Sequence, residues 1–133
     1  MPTIARRLSL LLALGWMAFI FWESSSAIQL DLPELFPHED KLAHLVLFGL
    51  LAAFWLGSFP TTSTGYRSRE VWFAILIATL YGALDEWHQS FVPGRTADPL
   101  DLLADGVGAL LFAWSLAALM RARLGQSKAL RSG

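Results

Sequence analysis

Cysteine is absent from the 133-residue chain, and only 16% of its residues are charged. The first absence excludes a disulfide scaffold, a thiolate nucleophile and a Cys-ligated metal, while saying nothing about compartment. The second is a poor fit to a soluble domain, where roughly a quarter of residues carry charge. A bias of sign is also missing: ten basic and eleven acidic residues leave a net charge of −1. That balance carries no nucleic-acid footprint, and nucleic acid is not expected as a partner. Intrinsic disorder is excluded as well, because disordered chains are polar and charge-rich. Neither an internal repeat nor a low-complexity linker interrupts the chain. What is abundant is apolar: 55% of residues are hydrophobic. Length and composition together describe one small domain, residues 1–133, embedded in a membrane.

Four apolar runs cover about 4–22, 42–59, 71–91 and 100–120. Each approaches the roughly 20 residues that a helix needs to cross about 30 Å of hydrocarbon. Only a helix satisfies its own backbone in lipid as an open segment, so an all-α bundle of four transmembrane helices is expected. The connecting segments are short and polar: Glu23–Lys41, Pro60–Glu70 and Val92–Pro99. With both termini cytoplasmic, Arg6, Arg7, Arg67, Arg69, Arg121, Arg123, Lys128 and Arg131 all fall inside, leaving only Lys41 and Arg95 outside. That is the bias that orients membrane proteins. Glu70 is then the sole inner acid. Trp22, Trp72 and Trp87 stand near helix ends, as interfacial anchors do. The expected location is a membrane crossed several times.

The first run has a rival reading. Arg6-Arg7, an apolar stretch and Ser24-Ser25-Ser26-Ala27 resemble a signal peptide with a small-residue cleavage site. The stretch is long for that, and a retained span is the expectation. Ala53/Gly57, Ala78/Gly82 and Ala104/Gly108 are small pairs four apart, which let helices approach closely.

Ionisable groups are costly in a bilayer, about 2.5–3.5 kcal/mol each even on lenient scales, so they face a bundle interior or a wet cavity. Here they gather at one depth. His44 opens the second helix, Asp85, Glu86, His88 and Gln89 close the third, and Asp101 and Asp105 open the fourth. Arg95 lies in the loop between the last two, behind a Pro93-Gly94 turn. All are at the outer end, which points to a single extracytoplasmic site. Asp85 and Gln89, Glu86 and Gln89, Asp101 and Asp105, and Lys41 and His44 each share a helix face. Asp40 is placed to cap the second helix. Asp85 is read as a partner of Arg95 or a packing group, and Asp105 as a partner of His44 or Gln89. His88, Asp31, Glu34 and Glu39 are expected to be solvated. The basic tail after Met120 reads as an anchor to anionic lipid.

Three segments carry a family resemblance: Asp40-Lys41-Leu42-Ala43-His44, the run Asp85-Glu86-Trp87-His88-Gln89-Ser90-Phe91-Val92-Pro93-Gly94-Arg95, and Asp101-Leu102-Leu103-Ala104-Asp105-Gly106-Val107-Gly108. In their order and spacing they resemble the VanZ-like family of small bacterial membrane proteins. The resemblance implies a four-helix membrane bundle with an outer polar site and an association with teicoplanin resistance. It also implies kinship with a wider group that processes phosphate-bearing lipid head groups. By position it marks His44, Glu86, Gln89, Arg95 and Asp101, with Lys41 beside them. The family commonly has Asn where this chain has Asp105, which removes a shared neutral role unless Asp105 is protonated.

Three functions from different classes fit these residues. The first is an enzyme acting on a lipid-linked head group. His44, Glu86 and Asp101 would be its catalytic groups, and Lys41, Gln89, Arg95, Asp85 and Asp105 would bind the substrate. His44 is then a general base or a nucleophile, Glu86 or Asp101 orients it, and Lys41 and Arg95 hold phosphate. A divalent ion such as Mg²⁺ or Zn²⁺ suits the oxygen and nitrogen donors, but no ligand spacing is diagnostic. The second is a protective module that binds a lipid or glycopeptide without chemistry. The third is a small transporter or assembly subunit, which the apolar inner half of the bundle disfavours. The expected partner is a membrane lipid or lipid-linked cell-wall precursor; the oligomeric state is open.

Overall fold

The computed structural model describes residues 3–26 and 39–132. Four helices account for most of them: α1 (Thr3–Ser25), α2 (Glu39–Ser58), α3 (Ser68–Gln89) and α4 (Pro99–Ser132). The all-helical expectation is met. α1, α2 and α4 are long and apolar enough to cross a membrane. α3 has 22 residues but is less apolar, because Arg69 and Glu70 open it while Asp85, Glu86 and His88 close it. The bundle is inverted relative to a soluble protein. Leu11, Phe73 and Leu103 are more than half exposed, whereas Asp85, Glu86, Gln89, Asp101 and Asp105 are buried. An apolar exterior around a polar interior is the mark of an integral membrane protein.

The helix limits differ from the apolar runs in an instructive way. α4 continues past Met120 to Ser132, so the basic tail is helical. Ala, Arg, Leu, Lys and Gln are good helix formers, and hydropathy ends where the lipid ends, not where the helix does. Asp40 does not precede α2 but lies in its first turn, beside Glu39. The cap expected there is instead found on α4, where Asp98 Oδ1 accepts from the Leu100 amide at 2.9 Å. Asp98 followed by Pro99 is the favoured N-cap with proline at the first helical position. Asp31, Glu34 and Ala27 lie outside the described residues.

Packing follows from small residues. α2 and α4 run parallel and in register: Lys41 faces Asp101, His44 faces Asp105, Leu45 faces Gly108 and Gly49 faces Phe112. Gly108 is indispensable there, since a Cβ on it would fall onto the Leu45 carbonyl oxygen. The inward face of α4 reads Asp101, Asp105, Ala109, Ala113, Ala117, one buried residue per turn. Its alanines meet Phe48, Leu51, Ala52 and Leu56 of α2 and Val71, Ala74 and Ala78 of α3 in one core. In lipid such contacts hold helices by close packing, because tails are as apolar as leucine.

α1 and α3 form the second parallel pair. Tyr81 donates to the Met17 carbonyl at 2.7 Å, and Gln89 Nε2 reaches Ser24 Oγ at 3.4 Å. α1 is antiparallel to α2, with Trp16 Nε1 donating to the Leu47 carbonyl at 2.9 Å and Arg6 Nε to the Ser58 carbonyl at 3.2 Å. Among the described residues α1 and α4 make no contact, so α2 and α3 separate them. The α3–α4 connection turns as its Pro93-Gly94 pair predicts. Gly94 has φ of 86°, and the Arg95 amide donates to the Val92 carbonyl at 3.1 Å. The glycine supplies the left-handed residue that such a turn requires.

Candidate functional site

The first turns of α2 and α4 and the last turns of α3 converge at one end of the bundle. Lys41 Nζ is the hub on the outer rim. It donates to Asp101 Oδ1 and Asp98 Oδ2 at 2.8 Å each and to Asp40 Oδ2 at 2.9 Å. One turn deeper, His44 Nδ1 lies 3.0 Å from Asp105 Oδ1. Asp105 is fully buried, and it fits because Gly82 of α3 lies against it: a Cβ there would meet the carboxylate. The His44 ring is parallel to that of Phe48, which lies one turn further along α2. From α3, Glu86 accepts from the Asp98 amide at 2.7 Å through Oε2. Donor atoms of His44, Glu86 and Asp101, on three different helices, lie within 4.8 Å of one another.

Beside this cluster lies a second polar group shared by α1 and α3. Gln89 Nε2 donates to Asp85 Oδ2 at 2.9 Å and points towards Ser24, and all three residues are buried. His88 Nε2 and Ser25 Oγ are 2.9 Å apart, and its ring lies 4.8 Å from that of Phe21. His88 is half-buried and this hydrogen bond is exposed, so it packs against α1 while still reaching solvent.

Arg95 is not held by the cluster acids. Its Nη2 donates to Glu23 Oε1 at 2.8 Å and to the Glu23 carbonyl at 3.1 Å, so the loop is tied to the end of α1. The alternative of an Asp85–Arg95 pair is corrected: Asp85 goes to Gln89. For Asp105 the structure selects His44 over Gln89. Asp101 could have been a helix cap; Asp98 holds that position, and Asp101 is free to face Lys41.

Three residues that sequence reasoning passed over belong here: Glu23, Ser24 and Asp98. The Asp98-Pro99 cap signature was present for the last. The other two had no local signal, since their partners are more than sixty residues away in the chain. Lys41 and, less, the Leu100 amide hold the Asp98 carboxyl below its ordinary value by bonding to its ionised form.

Satisfaction of the buried polar atoms is uneven. Among the described residues, four buried side-chain N or O atoms lack a partner, and three of them, Glu86 Oε1, Arg95 Nε and Asp105 Oδ2, are at this end. Native interiors leave few such atoms, so each of these calls for a proton, a water, an ion or another group beyond the protein atoms. The opposite end has one such atom, Trp55 Nε1. Its acid, Glu70, accepts from the Arg67 amide at 2.8 Å and closes the start of α3. Chemically, the upper cluster combines an imidazole steadied by a buried carboxylate, two further carboxyl groups and an ammonium at the rim.

Residues 8–121 match the family model described as VanZ/LLP1. No curated protein and no solved structure matches.

Proposed function

The chain belongs to the VanZ/LLP1 family, and on that premise we propose that it is a bacterial membrane enzyme acting on a lipid-linked phosphate head group. The carrying observation is the convergence of His44, Glu86 and Asp101 from three helices to within 4.8 Å, beneath Lys41. The reaction class is hydrolysis of the head group or its transfer to an alcohol. Lys41 takes a phosphate oxygen at the rim and opposes the negative charge that develops there. His44 is the general base for water or an acceptor alcohol, or itself the nucleophile, and Asp105 orients its ring through Nδ1. Glu86 and Asp101 flank the reacting centre and relay the proton. Gln89 and Asp85 shape the floor on the α1 side. Arg95, tied to Glu23 but with Nε unpaired, is the second cation near the mouth.

The setting supports this reading. An apolar groove of about 540 Å³ runs along α3 and α4 from Pro99 past Leu103 and Gly106 to Leu110. A lipid chain lying there brings its head group level with the first turn of α4. We place all four helices across the membrane, both termini in the cytoplasm, and the site at the extracytoplasmic face of the inner membrane. The segregation of Lys and Arg supports that orientation. Retention of α1 is favoured by the family match from residue 8 and by the ties from Ser24 to Gln89 of α3 and from Glu23 to Arg95 of the site loop. An association with glycopeptide resistance follows the family resemblance.

Chemistry is tested by profiling lipids and cell-wall precursors in membranes that express wild type, Glu86→Gln or His44→Ala at matched abundance. A species changing only with wild type is expected. Identical profiles, with a lipid co-purifying in all three, would replace catalysis by binding. Orientation is tested with single cysteines at Ser25, Ser63 and Ser127 and an impermeant thiol reagent. Only the first should react from outside; labelling at Ser63 inverts the topology.

A further inference from the structure

We infer that His44, Glu86 and Asp101 form a binding site for one divalent transition-metal ion of the zinc class. The inference deepens the head-group reading above, on which it rests for the metal's role but not for its binding. Five carboxylates (Asp40, Glu86, Asp98, Asp101 and Asp105) surround a single ammonium, Lys41, and a single imidazole, His44. That arrangement is short of positive charge. Lys41 serves only the rim, while Glu86, itself more than nine-tenths buried, leaves Oε1 without any partner. An ionised carboxylate in such a place needs a cation or a proton.

The supporting geometry is that of a metal centre. Asp105 engages Nδ1 of His44 at 3.0 Å, which fixes the ring and leaves Nε2 as the donor. A carboxylate behind a ligating histidine is the usual outer support of a zinc site, setting its tautomer and raising its basicity. Glu86 contributes Oε1, because Oε2 is occupied by the Asp98 amide. Asp101 contributes the oxygen that Lys41 does not take. Zinc bonds of about 2.0–2.2 Å place tetrahedral ligands roughly 3.5 Å apart. One ligand atom from each of the three residues lies within 4.8 Å of the others, a spacing that small side-chain rotations can close. Three protein ligands leave a fourth position open, as in catalytic zinc sites. Lys41, bonded to Asp101, would hold a phosphate oxygen beside such an ion. One imidazole with two carboxylates favours Zn²⁺ or Mn²⁺ over Mg²⁺, which prefers all-oxygen, water-rich sites.

The test uses the full chain in detergent or nanodiscs, stripped with chelator and dialysed against Zn²⁺ alone, then analysed for bound metal. Co²⁺ serves as a visible-absorbing reporter of the same site. About one ion per chain is expected for wild type and for Tyr81→Phe, which alters the α1–α3 seam only. Glu86→Gln, Asp101→Asn and His44→Ala should each fall at least a hundredfold in affinity and lose the Co²⁺ band. Asp105→Asn should weaken binding less, about tenfold. A monodisperse wild type that takes up neither ion overturns the inference, as does equal binding by all three ligand variants. Should one variant not fold, the other two decide. Metal binding without any change in lipids leaves the site standing and removes the head-group chemistry; turnover by metal-free protein does the reverse.

Discussion

The two parallel helix pairs are built on the same plan but finished differently. α1 and α3 are joined by neutral groups: Tyr81 to the Met17 carbonyl, Gln89 to Ser24, Ser25 to His88. α2 and α4 are joined by Lys41 to Asp101 and His44 to Asp105, and below them by backbone approach at Gly108. In the first pair a polar side chain meets a partner that completes it. In the second, Asp105 Oδ2 is left open after its bond to His44, and Glu86 Oε1 faces the pair from α3. The α1–α3 seam is therefore largely closed on itself, whereas the α2–α4 seam leaves carboxylate oxygens open at the site.

The largest effect is expected where the α2–α4 seam has no room. Gly108→Leu sets a side chain onto the Leu45 carbonyl, which is backbone and cannot rotate away. The overpacking cost, about 1–3 kcal/mol or more, is concentrated at the closest helix contact. Loss of monodisperse protein after detergent extraction is the expected readout. Next comes Glu86→Gln, which keeps the shape and removes the charge. Turnover should fall by roughly 10²–10⁴-fold, the usual worth of a positioned acid or base, with the thermal unfolding temperature unchanged or raised. A rise would mean that the buried carboxylate is held for function at the expense of stability.

How much of this division could be read beforehand depends on chain distance. Asp101 and Asp105 at i, i+4, and Glu86 with Gln89, announce their shared faces through helical spacing alone. The same periodicity continues in Ala109, Ala113 and Ala117, so the inward side of α4 is written along its whole length. Ala53/Gly57, Ala78/Gly82 and Ala104/Gly108 also mark real contacts, with Gly57 against Ser9, Gly82 against Asp105 and Gly108 against the Leu45 backbone. What spacing could not supply is which helix stands opposite which. Hydropathy is blind to neighbours, so an Asp85–Arg95 pair stands as an open alternative in the sequence, whereas the partner of Arg95 is Glu23, at the end of α1. Ser24 looked like part of a cleavage site and is instead a buried companion of Gln89. Composition reads as four spans; α1, α2 and α4 are long and apolar enough to cross a membrane, while α3 is marked less by its apolarity than by the polar groups at its ends.

A smaller effect sharpens the contrast from the scaffold side. Tyr81→Phe removes the hydroxyl that donates to the Met17 carbonyl across α1 and α3. Interhelical hydrogen bonds in membranes are worth about 0.6 kcal/mol on average, so a loss of that order in reversible unfolding is expected. Turnover should not change. A variant that unfolds no more easily but turns over tenfold slower would mean that the α1–α3 seam is part of the site after all.

The smallest effect isolates one charge at the rim. Asp98 both caps α4 and accepts from Lys41. Asparagine caps about as well as aspartate, so Asp98→Asn keeps the first role and removes the second. Bonding to Lys41 holds the Asp98 carboxyl below its ordinary 3.8, so the folded state binds its proton less readily than the unfolded chain does. Its stabilising contribution is then fully present above the unfolded value and disappears as pH falls through the folded one. The wild-type minus variant difference in unfolding temperature should therefore be positive at pH 7 and shrink between about pH 5 and 2. Because the group is open to solvent, salt should shrink it too. A difference independent of both pH and salt would mean that Lys41 is held by Asp101 and Asp40 alone, and that Asp98 belongs to the scaffold as a cap and nothing more.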